Sequence, residues 1–344
     1  MKKSQKHILA YSAILILYSV KIFCQSTNDK SICPLAKKLE GQNNFNGALT
    51  EWNKCLLQNP SSIEMLMGRG TCYLNLGQFE NAKSDFQKIT SIEPNNEDAI
   101  LNTGWSILYG GKPEESLLFS KNRYNKQPQM NSMLVLMGSS NQALGNFSEA
   151  INNFTEYLKK DSLNIFAMVT RADCYSASNQ FIPAIADYSD AIKRSPENSN
   201  LYVARGVCKK SNNEQQNAMI DFNKAIQIDA KNGGAYLERG RLKFTLGDDR
   251  GAILDYDNAI KINPNDAMSL YFRSISKTRT NDLNGALSDI NKCIAVEPQM
   301  ADAYYTRGWI KIELKNIKGA CADFSKAGEL GYSEAYNAIK ENCN

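Results

Sequence analysis

Few residues of this chain have side chains suited to catalysis, and histidine is almost absent. The only histidine is His7, which lies in an apolar N-terminal segment. The rest of the chain therefore lacks Cys–His and Ser–His nucleophiles, histidine acid–base groups and imidazole metal ligands. The adjacent carboxylates of Asp248 and Asp249 fit the solvated start of a helix. We expect no enzymatic activity, no catalytic residues, no metal site and no cofactor.

The nine cysteines and the 21 glycines also lack the spacing of a known chemical site. No two cysteines have the CxxC spacing of a zinc or redox site. The recurrent glycines form no phosphate-binding loop, because none of their runs matches such a motif. The cysteines are therefore interpreted below through the helices that must position them.

The N-terminal segment, residues 1–24, has the composition of an export signal. A basic start precedes an apolar run from Ile8 to Val20, and a cleavage site follows between Cys24 and Gln25. An uncleaved membrane anchor and a lipid-modified Cys24 are the alternatives. All three place the remainder outside the cytoplasm, in the periplasm, at the outer-membrane periphery of a bacterium, or secreted. Residues 25–28 would be a short linker.

The positive charge of the chain belongs to the same segment. The formal net charge is +4, and four of the 40 basic residues lie in the first 24 positions, where there is no acidic residue. The rest of the chain thus has 36 basic and 36 acidic residues. Without a basic stripe to contact phosphates, nucleic acid is not an expected partner. A membrane would be contacted only through an uncleaved or lipidated N-terminus.

The sequence repeats itself every 34 residues without a gap. Residues 63–96 and 233–266 align throughout, and the frame extends over nine repeats. The nine repeats are 29–62, 63–96, 97–130, 131–164, 165–198, 199–232, 233–266, 267–300 and 301–334. Repeat positions 8 and 20 always hold small residues, which lets two helices approach closely. Larger apolar contacts are expected at positions 4, 11 and 24.

Position 15 of most repeats carries a residue suited to end the first helix. It is glycine or asparagine, the residues that most readily adopt a left-handed conformation after a helix. These residues are Gly77, Gly111, Gly145, Gly247, Asn43, Asn179, Asn213 and Asn281. Six repeats also carry proline at position 32, where a second helix would end.

These features resemble the tetratricopeptide repeat family, whose repeat is 34 residues long. The resemblance implies an all-α, right-handed α-solenoid of nine helix–turn–helix repeats. A terminal repeat has no neighbour on one side, and residues 333–344 would form the capping helix. The ending resembles exported bacterial members of the family.

An arginine and an aspartate recur together at positions 7 and 23. Six repeats have both residues, and the other three repeats have neither. The pairs are Arg69 and Asp85, Arg171 and Asp187, Arg205 and Asp221, Arg239 and Asp255, Arg273 and Asp289, and Arg307 and Asp323. We interpret them as a structural ladder of ion pairs. Asp221, in the preceding repeat, is an alternative partner for Arg239.

Two cysteine pairs lie at opposite ends of the array. A disulfide between Cys321 and Cys343 would join the cap to the last repeat, which an oxidising compartment permits. Cys33 and Cys55 form a similar pair in repeat one. The remaining repeat cysteines occupy positions that favour small buried residues.

In this family, the first helices line a concave groove with positions 2, 5, 9, 12 and 13, here called the groove face. In this chain many of these residues are apolar. They are Leu101, Trp105, Leu108, Tyr109, Val135, Phe166, Val169, Val203, Val207, Leu237, Phe244, Tyr271, Ile275, Tyr305 and Trp309. Such a lining suits a peptide anchored by its side chains.

The functional hypothesis is a non-catalytic scaffold that binds a protein or peptide partner in the cell envelope. Repeats three and four depart most from the pattern, with Arg123 and Tyr157 at position 27, so we expect the specialised binding segment there, with Trp105 as its anchor. Self-association as a structural component is the alternative, and carbohydrate binding through groove aromatics is a third. The sequence defines neither the partner nor the oligomeric state.

Overall fold

The structure is a computed structural model that describes residues 33–343. Over this range it contains nineteen α-helices and no strand, which confirms the predicted all-α class. The predicted signal segment and linker lie outside the described residues. The chain divides into two compact units between Ala191 and Ile192, and each unit is described separately.

Unit 1 contains two helices for each of the first five repeats. Its helices are α1 (Pro34–Gly41), α2 (Phe45–Gln58), α3 (Ile63–Asn75), α4 (Phe79–Ile92), α5 (Glu97–Tyr109), α6 (Pro113–Lys126), α7 (Ser132–Ala143), α8 (Phe147–Leu158), α9 (Ile165–Ala177) and α10 (Phe181–Arg194). The unit boundary falls within α10. From α1 to α9, each helix packs against the next one along the chain, and the first helices α5, α7 and α9 also contact one another in sequence.

Unit 2 contains the last four repeats and a terminal helix. Its helices are α11 (Ser199–Ser211), α12 (Gln215–Ile228), α13 (Gly233–Thr245), α14 (Asp249–Ile262), α15 (Ala267–Arg279), α16 (Leu283–Val296), α17 (Ala301–Glu313), α18 (Ile317–Glu329) and α19 (Ala335–Asn342). Here too each helix packs against its successor, and the first helices α11, α13, α15 and α17 form a contiguous row.

The turn between the two helices of each hairpin has the predicted conformation. Every glycine and asparagine predicted at position 15 has a positive φ, between 57° and 82°, and Lys315 occupies the same place in repeat nine with φ 62°. These residues follow the first helix and reverse the chain direction, as left-handed residues do at helix ends. The sequence prediction at this position is confirmed.

The small residue at position 8 makes room for an aromatic ring at position 24. A Cβ added to Gly308 would lie 2.4 Å from the ring of Phe324, and one added to Gly240 would lie 2.6 Å from Tyr256. Both rings are fully buried. Contacts this close leave no space for a methyl group, so the packing of these two hairpins depends on glycine at position 8.

The terminal helix α19 covers the last hairpin by packing against α18. Ala335 and Ala338 form its buried side. The Sγ atoms of Cys321 and Cys343 are 2.07 Å apart, and those of Cys33 and Cys55 are 2.10 Å apart. Cys72, Cys174, Cys208 and Cys293 are all buried. None of the helices described is both long and apolar enough to cross a membrane.

Candidate functional site

The arginine and aspartate of each ladder repeat form a two-bond ion pair. Arginine Nε donates to aspartate Oδ2 over 2.8–2.9 Å, and Nη2 donates to Oδ1 over 2.5–2.7 Å. Arg239 pairs with Asp255 of its own repeat, whereas Asp221 pairs with Arg205. The carboxylates are all buried, with at most 8% of their surface exposed. Such geometry fits a scaffold role.

A third bond from the arginine joins consecutive repeats, and sequence reasoning missed it. For the arginines of repeats two, five, seven, eight and nine, Nη1 donates over 2.6–3.0 Å to a residue at position 25 of the preceding repeat. The acceptors are Asn53, Thr155, Asn223, Asp257 and Asn291. The sequence did contain a signal for this bond. Position 25 is Gln87 in repeat two and Lys121 in repeat three, and the repeats that follow them, three and four, lack the arginine.

In unit 2 a lysine at position 11 also contacts each ladder aspartate. Lys209, Lys243, Lys277 and Lys311 lie 2.7–2.9 Å from the carboxylates of their own repeats. The prediction of an apolar contact at position 11 is therefore wrong for these repeats. In unit 1 the same position holds Tyr73 and Tyr175 in the two ladder repeats, and no lysine among the described residues pairs with those aspartates.

The predicted anchor of the groove face, Trp105, packs against other aromatic rings of unit 1. Its ring stacks on Tyr109 with centroids 5.4 Å apart and meets Phe166 edge-on at 6.0 Å. Phe166 belongs to repeat five, so the contact crosses the first helix of repeat four. That helix, α7, is buried at nine consecutive positions, 133–141. Trp105 thus contributes to the packing of unit 1 and is only half-buried.

The other groove-face residues of unit 1 divide by exposure. Leu101, Leu108, Tyr109 and Phe166 are half-buried and leave apolar surface accessible, whereas Val135 and Val169 are buried. Burial raises the pKa of the Tyr109 hydroxyl. Among the predicted groove-face residues of this unit, those with accessible surface therefore belong to repeats three and five.

A buried carboxyl group, Asp173, lies in the same row as Trp105, at position 9 of repeat five. It is 7% exposed and accepts a short hydrogen bond from the hydroxyl of Tyr188. Desolvation raises the pKa of Asp173 to about 7, although the tyrosine hydrogen bond favours the charged form. Four of the nine repeats have Phe where Tyr188 stands, and the sequence pattern gave no signal of this pair.

The groove face of unit 2 combines apolar side chains with charged ones that include Lys210, Arg241 and Arg279, and Glu238 at position 6 pairs with the first two. Glu238 accepts hydrogen bonds from Lys210 at 2.5 Å and Arg241 at 2.7 Å. Burial opposes ionisation of Glu238, but the two cations outweigh it and lower its pKa. Arg279 lies over the ring of Phe244, 3.9 Å from its centroid. Val207, Leu237, Tyr271 and Ile275 are half-buried on this face, and Val203 is buried.

In repeat nine the aromatic residues of the groove face pack within the end of the array. Tyr305 stacks on Tyr332 at 4.5 Å, and Trp309 contacts the core ring of Phe324 at 5.4 Å. These side chains belong to the core cluster that also contains the buried alanines of α19. Their contribution to packing is therefore substantial.

Unit 1 also has two open cavities, and the groove-face residue Leu101 lines one of them. One, of about 390 Å³, is lined by Asn53, Lys54, Leu56, Leu57, Pro60, Arg69 and Lys88. The other, of about 300 Å³, is lined by Glu97, Asp98, Leu101, Gln129, Asn131, Ser132, Tyr157, Lys160 and Asp161. Across residues 33–343, no group of three or more histidine, cysteine or acidic side chains is arranged to hold a metal ion.

Within each unit, successive helical hairpins with a 34-residue period pack on one another, which defines an α-helical repeat protein. The sequence profile of the tetratricopeptide repeat matches residues 63–96, 199–232, 233–266 and 301–330. The chain is a tetratricopeptide repeat protein, as its sequence pattern predicts. This fold is a scaffold for protein–protein interaction, and the family is generally non-catalytic.

Similarity to curated proteins is confined to a short segment. Sperm-associated antigen 1 of Rattus norvegicus is 39% identical over 56 residues, which are 16% of this chain and 6% of that protein. The protein of the same name from Mus musculus is 38% identical over the same length. The matched segment therefore spans only a small part of these relatives.

Solved structures resemble the chain over a much longer range. A tetratricopeptide repeat protein from Parabacteroides merdae is 22% identical, with a TM-score of 0.58, covering 72% of this chain and 99% of that one. The APC/C hetero-tetramer Cut9–Hcn1 is 16% identical, with a TM-score of 0.59, covering 87% of this chain and 59% of that one. At these identities the likeness shows the fold alone.

Proposed function

We propose that this chain is a non-catalytic scaffold that binds a protein or peptide partner on its groove face. The observation that carries the proposal is the set of half-buried apolar side chains on the first helices of both units. In unit 2 these include Leu237, Phe244 and Ile275. Side chains held by a rigid helix and partly open to solvent suit an apolar anchor of a partner.

A matched pair of substitutions in repeat seven tests the proposal. Leu237 lies on the groove face, whereas Leu254, on the second helix of the same repeat, is 64% exposed. We expect Leu237→Glu to reduce partner binding at least about tenfold, since a charge would replace an apolar contact. Leu254→Glu should leave binding unchanged.

The measurement is affinity capture from the native envelope fraction, followed by titration of the purified partner against both variants. Circular dichroism melts check that both variants remain folded. Equal binding by the two variants would contradict recognition on the groove face.

We further propose that the protein is exported and that both cysteine pairs are oxidised in the native protein. The composition of residues 1–24 supports export. The Cα atoms of the two cysteine pairs lie 6.3 Å and 5.7 Å apart, within the range that a disulfide spans. The intact mass of the native protein, measured with and without reduction, should correspond to a chain beginning at Gln25 with two disulfides. A retained Met1 or a lipid on Cys24 would contradict cleavage before Gln25. A mass unchanged by reduction would contradict the two disulfides.

A further inference from the structure

The smaller cavity of unit 1 arises where repeats three and four depart from the repeat pattern. Position 27 is alanine in four of the nine repeats, but in repeat four it is Tyr157. The aromatic ring of Tyr157 and the side chain of Leu101 give the cavity its apolar surface. Its volume of about 300 Å³ is at the lower limit for ligand pockets, so it suits one side chain of a larger ligand.

The polar lining of this cavity is predominantly negative. It contains three carboxylates, those of Glu97, Asp98 and Asp161, and one ammonium group, that of Lys160. Within the described part of the chain, none of these four groups forms an ion pair. Glu97 and Asp98 stabilise the first turn of α5 through the helix dipole. Asp161 follows the C-terminal end of α8, where a negative charge is unfavourable.

The Asp161 carboxylate is fixed in position by uncharged groups. Tyr157 donates to its Oδ2 atom over 3.0 Å, and Asn164 Nδ2 donates to the same oxygen over 3.2 Å. The backbone N–H of Leu163 donates to Oδ1 over 3.3 Å. These bonds orient the carboxylate, but none of them neutralises its charge.

An acceptor without a donor lies in the wall of the same cavity. Asn131 precedes α7 but makes no capping bond, unlike Asn96, Asn164 and Asn232 before other first helices. Its Oδ1 atom is buried and has no hydrogen-bond partner among the described residues. A buried carbonyl oxygen left unpaired is unfavourable, and a donor from a ligand would offset that cost.

We propose that this cavity receives an arginine side chain of the bound protein partner. A guanidinium group carries five N–H donors in a plane and a permanent positive charge, which suits several acceptors and a net negative wall. Leu101 belongs to both the cavity and the groove face, so an apolar residue next to the arginine would contact that face. The inference rests on the proposed scaffold function and specifies the chemistry of its partner.

Synthetic heptapeptides with a central Leu-Arg-Leu test the proposal, with citrulline replacing arginine in the control peptide. Citrulline keeps the shape of the side chain but carries no charge. We expect the arginine peptide to bind about tenfold more tightly in a nuclear magnetic resonance titration, and this preference to weaken as salt is added. Equal affinity for the two peptides, or no binding of either, would overturn the proposal.

The protein variant is Asp161→Asn, and its matched control is Asp229→Asn. Asp229 has the same repeat position in repeat six and accepts a similar bond, from the backbone N–H of Lys231 over 2.9 Å, but it is outside the cavity. Asp161→Asn should remove the preference for arginine with the melting temperature unchanged, and Asp229→Asn should keep the preference. If Asp161→Asn still prefers the arginine peptide over the citrulline peptide as strongly as wild type does, the cavity does not receive the arginine.

Capture of the native partner by the two variants distinguishes a failure of this inference from a failure of the proposed function. If Leu237→Glu abolishes partner capture while Asp161→Asn leaves it intact, the scaffold function stands and the arginine pocket is wrong. If neither substitution affects capture, recognition on the groove face is also contradicted.

Discussion

Replacing Arg171 by leucine is expected to destabilise the protein by about 3 kcal/mol, the typical cost of breaking a buried ion pair. The partner Asp187 is only 8% exposed and accepts both bonds of the pair from this guanidinium. The variant would leave that carboxylate buried without a cation. Urea unfolding measures the loss in the overall free energy of unfolding, and native-state hydrogen exchange measures the loss of local stability in α9 and α10.

The equivalent substitution in unit 2, Arg239→Leu, should cost distinctly less. Its partner Asp255 retains the ammonium group of Lys243 at 2.8 Å. Removing both cations in Arg239→Leu/Lys243→Leu should bring the cost to that of Arg171→Leu. Conversely, Tyr175→Lys places a lysine at position 11 of repeat five and should partly rescue Arg171→Leu. Equal losses of unfolding free energy in Arg171→Leu and Arg239→Leu would show that the lysines do not stabilise the ladder.

The substitution Asp173→Asn is expected to raise stability, relative to wild type, more at pH 8 than at pH 5. The folded pKa of Asp173 is about 7, above the ordinary value of 3.8. Folding therefore favours the protonated form, so the wild type loses stability as pH rises from about 4 to 7. Asparagine carries no titrating charge and can still accept the bond from Tyr188.

The expected difference follows from the shift. Between pH 5 and the folded pKa near 7, each pH unit changes the wild-type stability by about 1.4 kcal/mol, or about 2.7 kcal/mol in all. The free energy of unfolding of Asp173→Asn, minus that of wild type, should therefore increase by about this amount from pH 5 to pH 8. Asp98→Asn, at an exposed site, is the control and should show no such increase. Parallel pH profiles for wild type and Asp173→Asn would mean that Asp173 is already ionised at pH 5.

The repeat architecture could be predicted because it depends on local requirements that recur in the sequence. A left-handed residue such as Gly247 must end each first helix, and a small residue such as Gly240 must face each ring. The 34-residue frame makes both visible without a structure. Covariation between Arg239 and Asp255 indicated the ladder for the same reason, since each repeat provides an independent example.

The role of individual groove residues could not be predicted, because it depends on contacts between different repeats. Trp105 occupies a groove position, but its ring contacts Phe166, a residue 61 positions further along the chain. Lys243 was assigned to an apolar position because the pattern specifies where a side chain lies and not how far its charged end reaches. Asp173 and Tyr188 occur as a pair only once, so repetition gave no signal.

The bonds that ladder arginines make to the preceding repeat also affect how the gene can change. Repeats six, seven and eight end in second helices that carry Asn223, Asp257 and Asn291, and each of these accepts a bond from the next guanidinium. Tandem duplication of such a repeat by unequal crossing-over would preserve an acceptor for every arginine. A copy of repeat three inserted before an arginine repeat would instead place Lys121 against the incoming guanidinium. We therefore expect length variation among homologous genes to arise in the part that encodes unit 2.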